Sequence, residues 1–253
     1  MSKKSDFINK LPLITASFWL MKITATTLGE TGGDWLSMTM NLGYLTSTII
    51  FFGIFLAALG AQLFTSKHIP WLYWTVIIAT STAGTTMSDY MDRTLELGYA
   101  KGAAILVSIL IALLTAWRLT EGNVNVDHIR SRRAEVFYWV TILFSNTLGT
   151  ALGDFLSDDS GFGFLNSWLL ITGILGLILA LTYFTQLPRV LLFWLAFILT
   201  RPFGATFGDV LTKTHEKGGL DFGRGWSSLI LLGILVAVMF WAYAGKQTKA
   251  RTT

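Results

Sequence analysis

Apolar residues fall in long runs along this chain, at 11–27, 45–64, 71–83, 103–117, 136–152, 165–184, 190–199 and 227–244. A soluble amphipathic helix would break such runs every turn with polar positions. Several runs reach the ~20 residues a helix needs to cross a bilayer, and the shorter ones reach it with their Gly, Thr and Ser extensions. The pattern predicts an all-α membrane protein of eight transmembrane helices. The first run carries Lys22, lacks an obvious small-residue cleavage site and resembles later runs, so it reads as a helix and not as a cleaved signal.

The polar residues inside these runs repeat. Asp34, Asp89, Asp154 and Asp209 are spaced 55, 65 and 55 residues apart. Fifteen residues before each stands Trp19, Trp74, Trp139 or Trp194, and just before each tryptophan Phe18, Tyr73, Tyr138 or Phe193. Glycine stands five before each aspartate (Gly29, Gly84, Gly149, Gly204) and nine after it (Gly43, Gly98, Gly163, Gly218). Such internal periodicity marks a repeat protein. Each unit reads as a first helix from aromatic pair to aspartate, a glycine-bounded turn and a plainer second helix. The first helices are expected to be longer and more polar, and to form an inner bundle within a layer of second helices. An even helix count per unit makes the four repeats parallel. The chain divides into residues 1–120 (repeats 1 and 2), a linker at 121–134 and residues 135–253 (repeats 3 and 4), two halves offset by 120 residues.

The pattern FW–K–TTLGETGGDWL, repeated down to TRPFGATFGDVL, resembles a bacterial membrane-protein family of four tandem two-helix repeats, each with a characteristic tryptophan. The resemblance spans essentially the whole chain. It implies architecture and no activity.

Fifteen helical residues rise ~22 Å, so aromatic pair and aspartate bracket most of the hydrocarbon thickness. Walking back from each aspartate by four, then seven and eight residues gives Glu30, Thr27 and Thr26; Thr85, Thr82 and Ser81; Thr150, Thr147 and Asn146; Ala205, Pro202 and Arg201. These offsets share one helix face. A polar stripe is costly against lipid, so it is expected to line an interior path headed by the aspartates. The small residues before each aspartate are expected to pack helices closely. Two other roles compete for the aspartates: capping, and pairing with Arg93, Lys213 or Arg224. Arg201 lies too deep to reach water and needs an acid, with Glu30 the best candidate; Lys22, nearer the helix start, is expected to snorkel. Pro202 is expected to kink its helix.

Only 13% of residues are charged, about half the soluble average. Basic residues gather at the termini and alternate loops (Lys3, Lys4, Lys10, Lys67, Arg118, Arg130, Arg132, Arg133, Arg189, Lys246, Lys249, Arg251), and most acids on the other side. The positive-inside rule then places both termini in the cytoplasm of a bacterial inner membrane, and accounts for the basic residues without nucleic acid. Cysteine is absent, which excludes disulfides and thiolate sites. His68, His128 and His215 fall in loops, and no nucleophile, zinc or nucleotide motif appears, so no enzyme and no cofactor is expected.

These residues point to transport of a small solute, most plausibly a hard cation. Asp34, Asp89, Asp154, Asp209 and Glu30 are the metal candidates; Thr27, Thr85, Thr150, Asn146, Arg201 and Lys22 complete the path. Carboxylates with hydroxyl and amide oxygens suit Mg²⁺, Mn²⁺, Ca²⁺ or Na⁺. The alternatives are a non-transporting scaffold or sensor held by interhelical hydrogen bonds, and an anion or metabolite transporter using Arg201 and Lys22. The expected partners are lipid and the solute, with room for a homo-oligomer.

Overall fold

Within a membrane-length apolar run the backbone can satisfy its hydrogen bonds only internally, and each run folds as one helix. The structure, a computed structural model, describes residues 11–126, 129 and 131–249, side chains of 244–249 excepted. Eight α-helices follow in order: α1 (Ala16–Asp34), α2 (Tyr44–Phe64), α3 (Pro70–Asp89), α4 (Tyr99–Glu121), α5 (Arg132–Asp154), α6 (Gly163–Phe184), α7 (Arg189–Thr212) and α8 (Arg224–Lys249). Six of them are long and apolar enough to cross a membrane; α1 and α3 are not among these six. Polar and small residues dilute both: α1 holds Lys22, Glu30 and Asp34, and α3 the stretch TSTAGTTMSD. The placement of the termini rests on residues outside those described, as do His128 and Arg130 of the linker.

Asp34, Asp89 and Asp154 each end an α-helix and open a single π-helical turn, Trp35–Thr39, Tyr90–Thr94 and Phe155–Asp159. A glycine with positive φ then starts the next helix: Gly43 at 74°, Gly98 at 73° and Gly163 at 72°. Glycine alone takes that backbone without strain, which explains its column nine residues after each aspartate. The fourth unit instead passes through a 3₁₀ turn at His215–Lys217. The expected lengths are corrected in three units: α1 has 19 residues against 21 in α2, α3 has 20 against 23 in α4 and α7 has 24 against 26 in α8, while α5, at 23 against 22 in α6, is the longer of its pair.

The first helices form a closed ring in which α1 packs on α3, α3 on α5, α5 on α7 and α7 on α1. Each second helix packs mainly on the first helix of the following repeat: α2 on α3, α4 on α5, α6 on α7, and α8 back on α1. Every unit is thus clasped by its predecessor, and the fourth closes on the first. The outer helices bury one narrow stripe each, such as Ser47, Phe55 and Gln62 in α2, and expose bulky apolar side chains elsewhere.

The glycine columns let this ring form. A Cβ on Gly29 would lie 2.3 Å from Ser81 Cβ, on Gly84 3.0 Å from Asn146 Cβ, on Gly149 2.2 Å from Arg201 Cγ, and on Gly204 2.5 Å from Thr26 Oγ1. In each repeat the glycine five before the aspartate receives the residue eight before the next aspartate, and the fourth contact closes onto the first repeat. Small-residue packing of this kind brings helix backbones together where lipid provides no hydrophobic drive.

At the start of the first helices the aromatic pairs continue the cyclic pattern. Phe18 meets Trp74 at 5.8 Å, Tyr73 meets Trp139 at 5.4 Å and Phe193 meets Trp19 at 5.8 Å between ring centroids. At the remaining junction Trp117 of α4 bridges Tyr138 and Trp194. Tyr73 and Tyr138 share a buried hydroxyl–hydroxyl hydrogen bond of 2.6 Å. The aromatic columns serve chiefly to close this end of the ring.

Candidate functional site: a charged axis inside the ring

Equivalent positions of the four first helices stack in layers along the ring's interior. Twelve residues before each aspartate lie Lys22, Ile77, Ile142 and Phe197; eight before, Thr26, Ser81, Asn146 and Arg201; four before, Glu30, Thr85, Thr150 and Ala205. All of these are buried. Burial follows from the ring: the polar stripe is the one face that each first helix turns toward the others.

Arg201 spans the interior and is tied to three neighbouring helices. Its guanidinium donates to the Thr26 carbonyl of α1 at 3.1 Å, to the Ser81 carbonyl of α3 at 3.3 Å, to the Thr85 hydroxyl of α3, and to Thr150 Oγ1 of α5 at 2.9 Å. It pairs with Glu30 Oε2 at 3.2 Å, the partner expected from sequence. Thr85 and Thr150 also donate to Glu30 Oε2, at 3.2 and 3.4 Å. Asn146 Nδ2 donates to Thr80 Oγ1 at 3.0 Å and to Ser81 Oγ at 3.4 Å. The ion pair with its hydroxyls closes the middle of the ring.

Above it the aspartates do not form one symmetrical ring of carboxylates. Arg93, from the second π turn, bridges Asp89 at 3.0 Å and Asp154 at 3.1 Å. Asp209 pairs with Lys213 at 3.1 Å, and Asp34 with Arg224 of α8 at 3.3 Å. Glu30, Asp34 and Asp209 instead converge, each offering a carboxylate oxygen so that all three atoms lie within 4.8 Å of one another. Of the five metal candidates the structure gathers three, and binds Asp89 and Asp154 to an arginine.

Other expectations change with the tertiary packing. Thr27 stays off the charged network: its hydroxyl donates to the Ile23 carbonyl of its own helix at 3.0 Å. Lys22 does not snorkel. It is fully buried, with Nζ 4.0 Å from the centre of the Phe197 ring and no hydrogen-bond acceptor. It sits on the interior face of α1, where the aromatic layer closes any route to water. Pro202 lies inside α7, the position from which a kink was expected. Phe197, in the layer of Lys22, was missed because an aromatic in an apolar run carries no polar signal. A cavity of about 770 Å³ lies elsewhere, at the aromatic end between α1, α6 and α7, lined mostly by apolar side chains with Arg189 among them.

Fold and interior together define a multi-pass helical membrane protein of internal repeats enclosing a polar, charged axis. The chain belongs to the family described as Repeat of Unknown Function (DUF347), which matches it at residues 17–68, 72–123, 137–187 and 192–248, one match to each unit. No curated protein and no solved structure matches the chain.

Proposed function

We propose that this protein is a gated carrier of a small hard cation in a bacterial cytoplasmic membrane, with all eight helices crossing and both termini cytoplasmic. One observation carries the reading: Glu30, Asp34 and Asp209, from two adjacent helices of the ring, converge within 4.8 Å and are buried. Three carboxylate oxygens with nearby threonine hydroxyls are a hard-cation donor set, and the described site offers no imidazole or thiol for softer metals. Glu30 belongs to both the cluster and the Arg201 pair, so cation binding competes directly with the group that closes the ring. Each carboxylate of the cluster also has its own cation (Arg201, Arg224 or Lys213). An incoming metal must displace these, which favours modest affinity and release. Since the basic loops mark the cytoplasmic side, the carboxylate cluster faces outward and the aromatic layer inward.

The same ion pairs would suit a scaffold that moves nothing, and one experiment separates the readings. Purified protein is titrated calorimetrically with Mn²⁺, Mg²⁺, Ca²⁺ and Na⁺, then reconstituted into liposomes for flux of whichever ion binds. Saturable binding should vanish in Asp34→Asn with Asp209→Asn and persist in Asp89→Asn with Asp154→Asn. Loss in neither variant, or no binding of any ion to the wild type, would favour the scaffold.

A further inference from the structure

Lys22 is unexplained by a cation site and by packing. The repeat supplies an internal control: at the equivalent position α3 has Ile77, α5 has Ile142 and α7 has Phe197, so an apolar residue satisfies this layer. An ammonium here is fully buried, brings three donors, and has no acceptor. Its nearest compensation is the face of the Phe197 ring at 4.0 Å. The next layer along the axis holds Arg201, which adds a like charge. Arg201 is itself incompletely satisfied, since its Nε–H finds no partner although both terminal nitrogens do. Ser145 adds a third open donor. It is the counterpart of Thr80, whose hydroxyl accepts from Asn146 of the following ring helix; Arg201 holds the position of Asn146 in α7, the ring helix after α5, and the Ser145 hydroxyl is without a partner.

Buried donors without acceptors cost several kcal/mol unless something supplies the acceptor. Among the described residues the one carboxylate paired with either basic side chain is the already shared Glu30, so two basic groups and a hydroxyl with open donors call for a negative ion. We propose that Lys22, Arg201 and Ser145 form a binding site for a small monovalent anion on the aromatic side of the Glu30–Arg201 pair. Close packing at the glycine columns restricts the ion to one or a few atoms.

Combined with the cation reading, on which this part rests, the site explains how the central pair opens. Separating Glu30 from Arg201 unaided would strand two charges in a closed interior. A cation taken by Glu30, Asp34 and Asp209 and an anion taken by Arg201 and Lys22 replace each partner with a mobile one. The two ions therefore favour each other's binding.

Chloride is the probe. Melting temperature of the full-length protein in detergent is followed as chloride replaces gluconate at fixed sodium concentration and ionic strength, and Mn²⁺ affinity is measured at both extremes. The wild type should show a saturable chloride-dependent rise in melting temperature that is absent in Lys22→Met. Mn²⁺ should bind at least about fivefold more tightly in chloride, the low end of ordinary coupling between sites, and that gain should also vanish in Lys22→Met. An equal chloride effect in both proteins would assign it to Arg93, Lys213 and Arg224 and overturn the site. No chloride effect on the wild type, as expected of an uncharged Lys22 amine, would overturn it too. Should Lys22→Met fail to fold, bromide anomalous scattering from wild-type crystals decides: a peak beside Lys22 Nζ supports the site, and peaks confined to the aspartate end reject it. Saturable chloride binding without Mn²⁺ binding would leave the anion site standing and remove the cation reading. Mn²⁺ binding indifferent to chloride would remove the coupling.

Discussion

Neutralising either partner of the Glu30–Arg201 pair should destabilise the ring, and neutralising both should restore most of the loss. Removing one member of a buried ion pair typically costs about 3–5 kcal/mol, because the other stays charged and buried. The surroundings set where each variant falls. In Glu30→Gln the guanidinium keeps the Thr26 and Ser81 carbonyls and the Thr150 hydroxyl at 2.9–3.3 Å, which places the loss near the lower end. In Arg201→Gln the stranded Glu30 keeps two hydroxyl donors at 3.2 and 3.4 Å, but stays beside Asp34 and Asp209 without its counter-ion. That variant should lie near the upper end. The double variant leaves two neutral amides among hydroxyls and carbonyls that can bond either, so it should lose only about 1–2 kcal/mol, less than either single variant. That makes the coupling energy larger than the about 0.5–3 kcal/mol usual for contacting residues. Unfolding in mixed micelles with increasing SDS, followed by the fluorescence of the 10 tryptophans, measures all four proteins. Single-variant losses that simply add in the double variant would refute the pairing. On the carrier reading the double variant also folds without transporting, whereas a purely structural pair would leave transport intact.

Gly149→Ala should lower stability by about 1–3 kcal/mol, since its Cβ would meet Arg201 Cγ at 2.2 Å and Pro202 Cδ at 2.9 Å. Gly53→Ala, with nothing within 4 Å, should be neutral or slightly stabilising in the same SDS titration. Tyr73→Phe strands the buried Tyr138 hydroxyl and should cost about 1–3 kcal/mol, while Tyr73→Phe with Tyr138→Phe should recover most of it, phenylalanine already standing at the equivalent Phe18 and Phe193. Equal melting of single and double variants would contradict that bond. Lys213, just beyond α7, titrates above its ordinary 10.5: burial opposes the ammonium, but Asp209, Asp34 and Asp154 together outweigh it. A raised pKa contributes stability that is complete below the unfolded value and fades as pH rises through the folded one. The melting deficit of Lys213→Met should therefore be the same at about pH 8 and about pH 9.5, and shrink only above 10.5. A deficit that closes below pH 9 would remove Lys213 from the Asp209 pair.

The repeat, its eight helices and their interior face were legible from the chain alone because each rests on a local rule. Apolar run length sets the helices, a positive-φ glycine sets the turns, and lipid forbids a polar stripe from facing outward. The partner of Arg201 was legible too, since a guanidinium at that depth requires an acid and Glu30 stood at a compatible height. What no spacing expresses is which helix lies beside which. Residues equivalent in four repeats become unequal once α8 closes on α1 and brings Arg224 to Asp34, while Arg93 reaches across from the π turn after α3 to Asp154. Those contacts divided four matching aspartates into a bridged pair and two that join Glu30. The same closure turned Lys22 toward the axis instead of the lipid, because a side chain's access to water depends on every helix around it and not on its own.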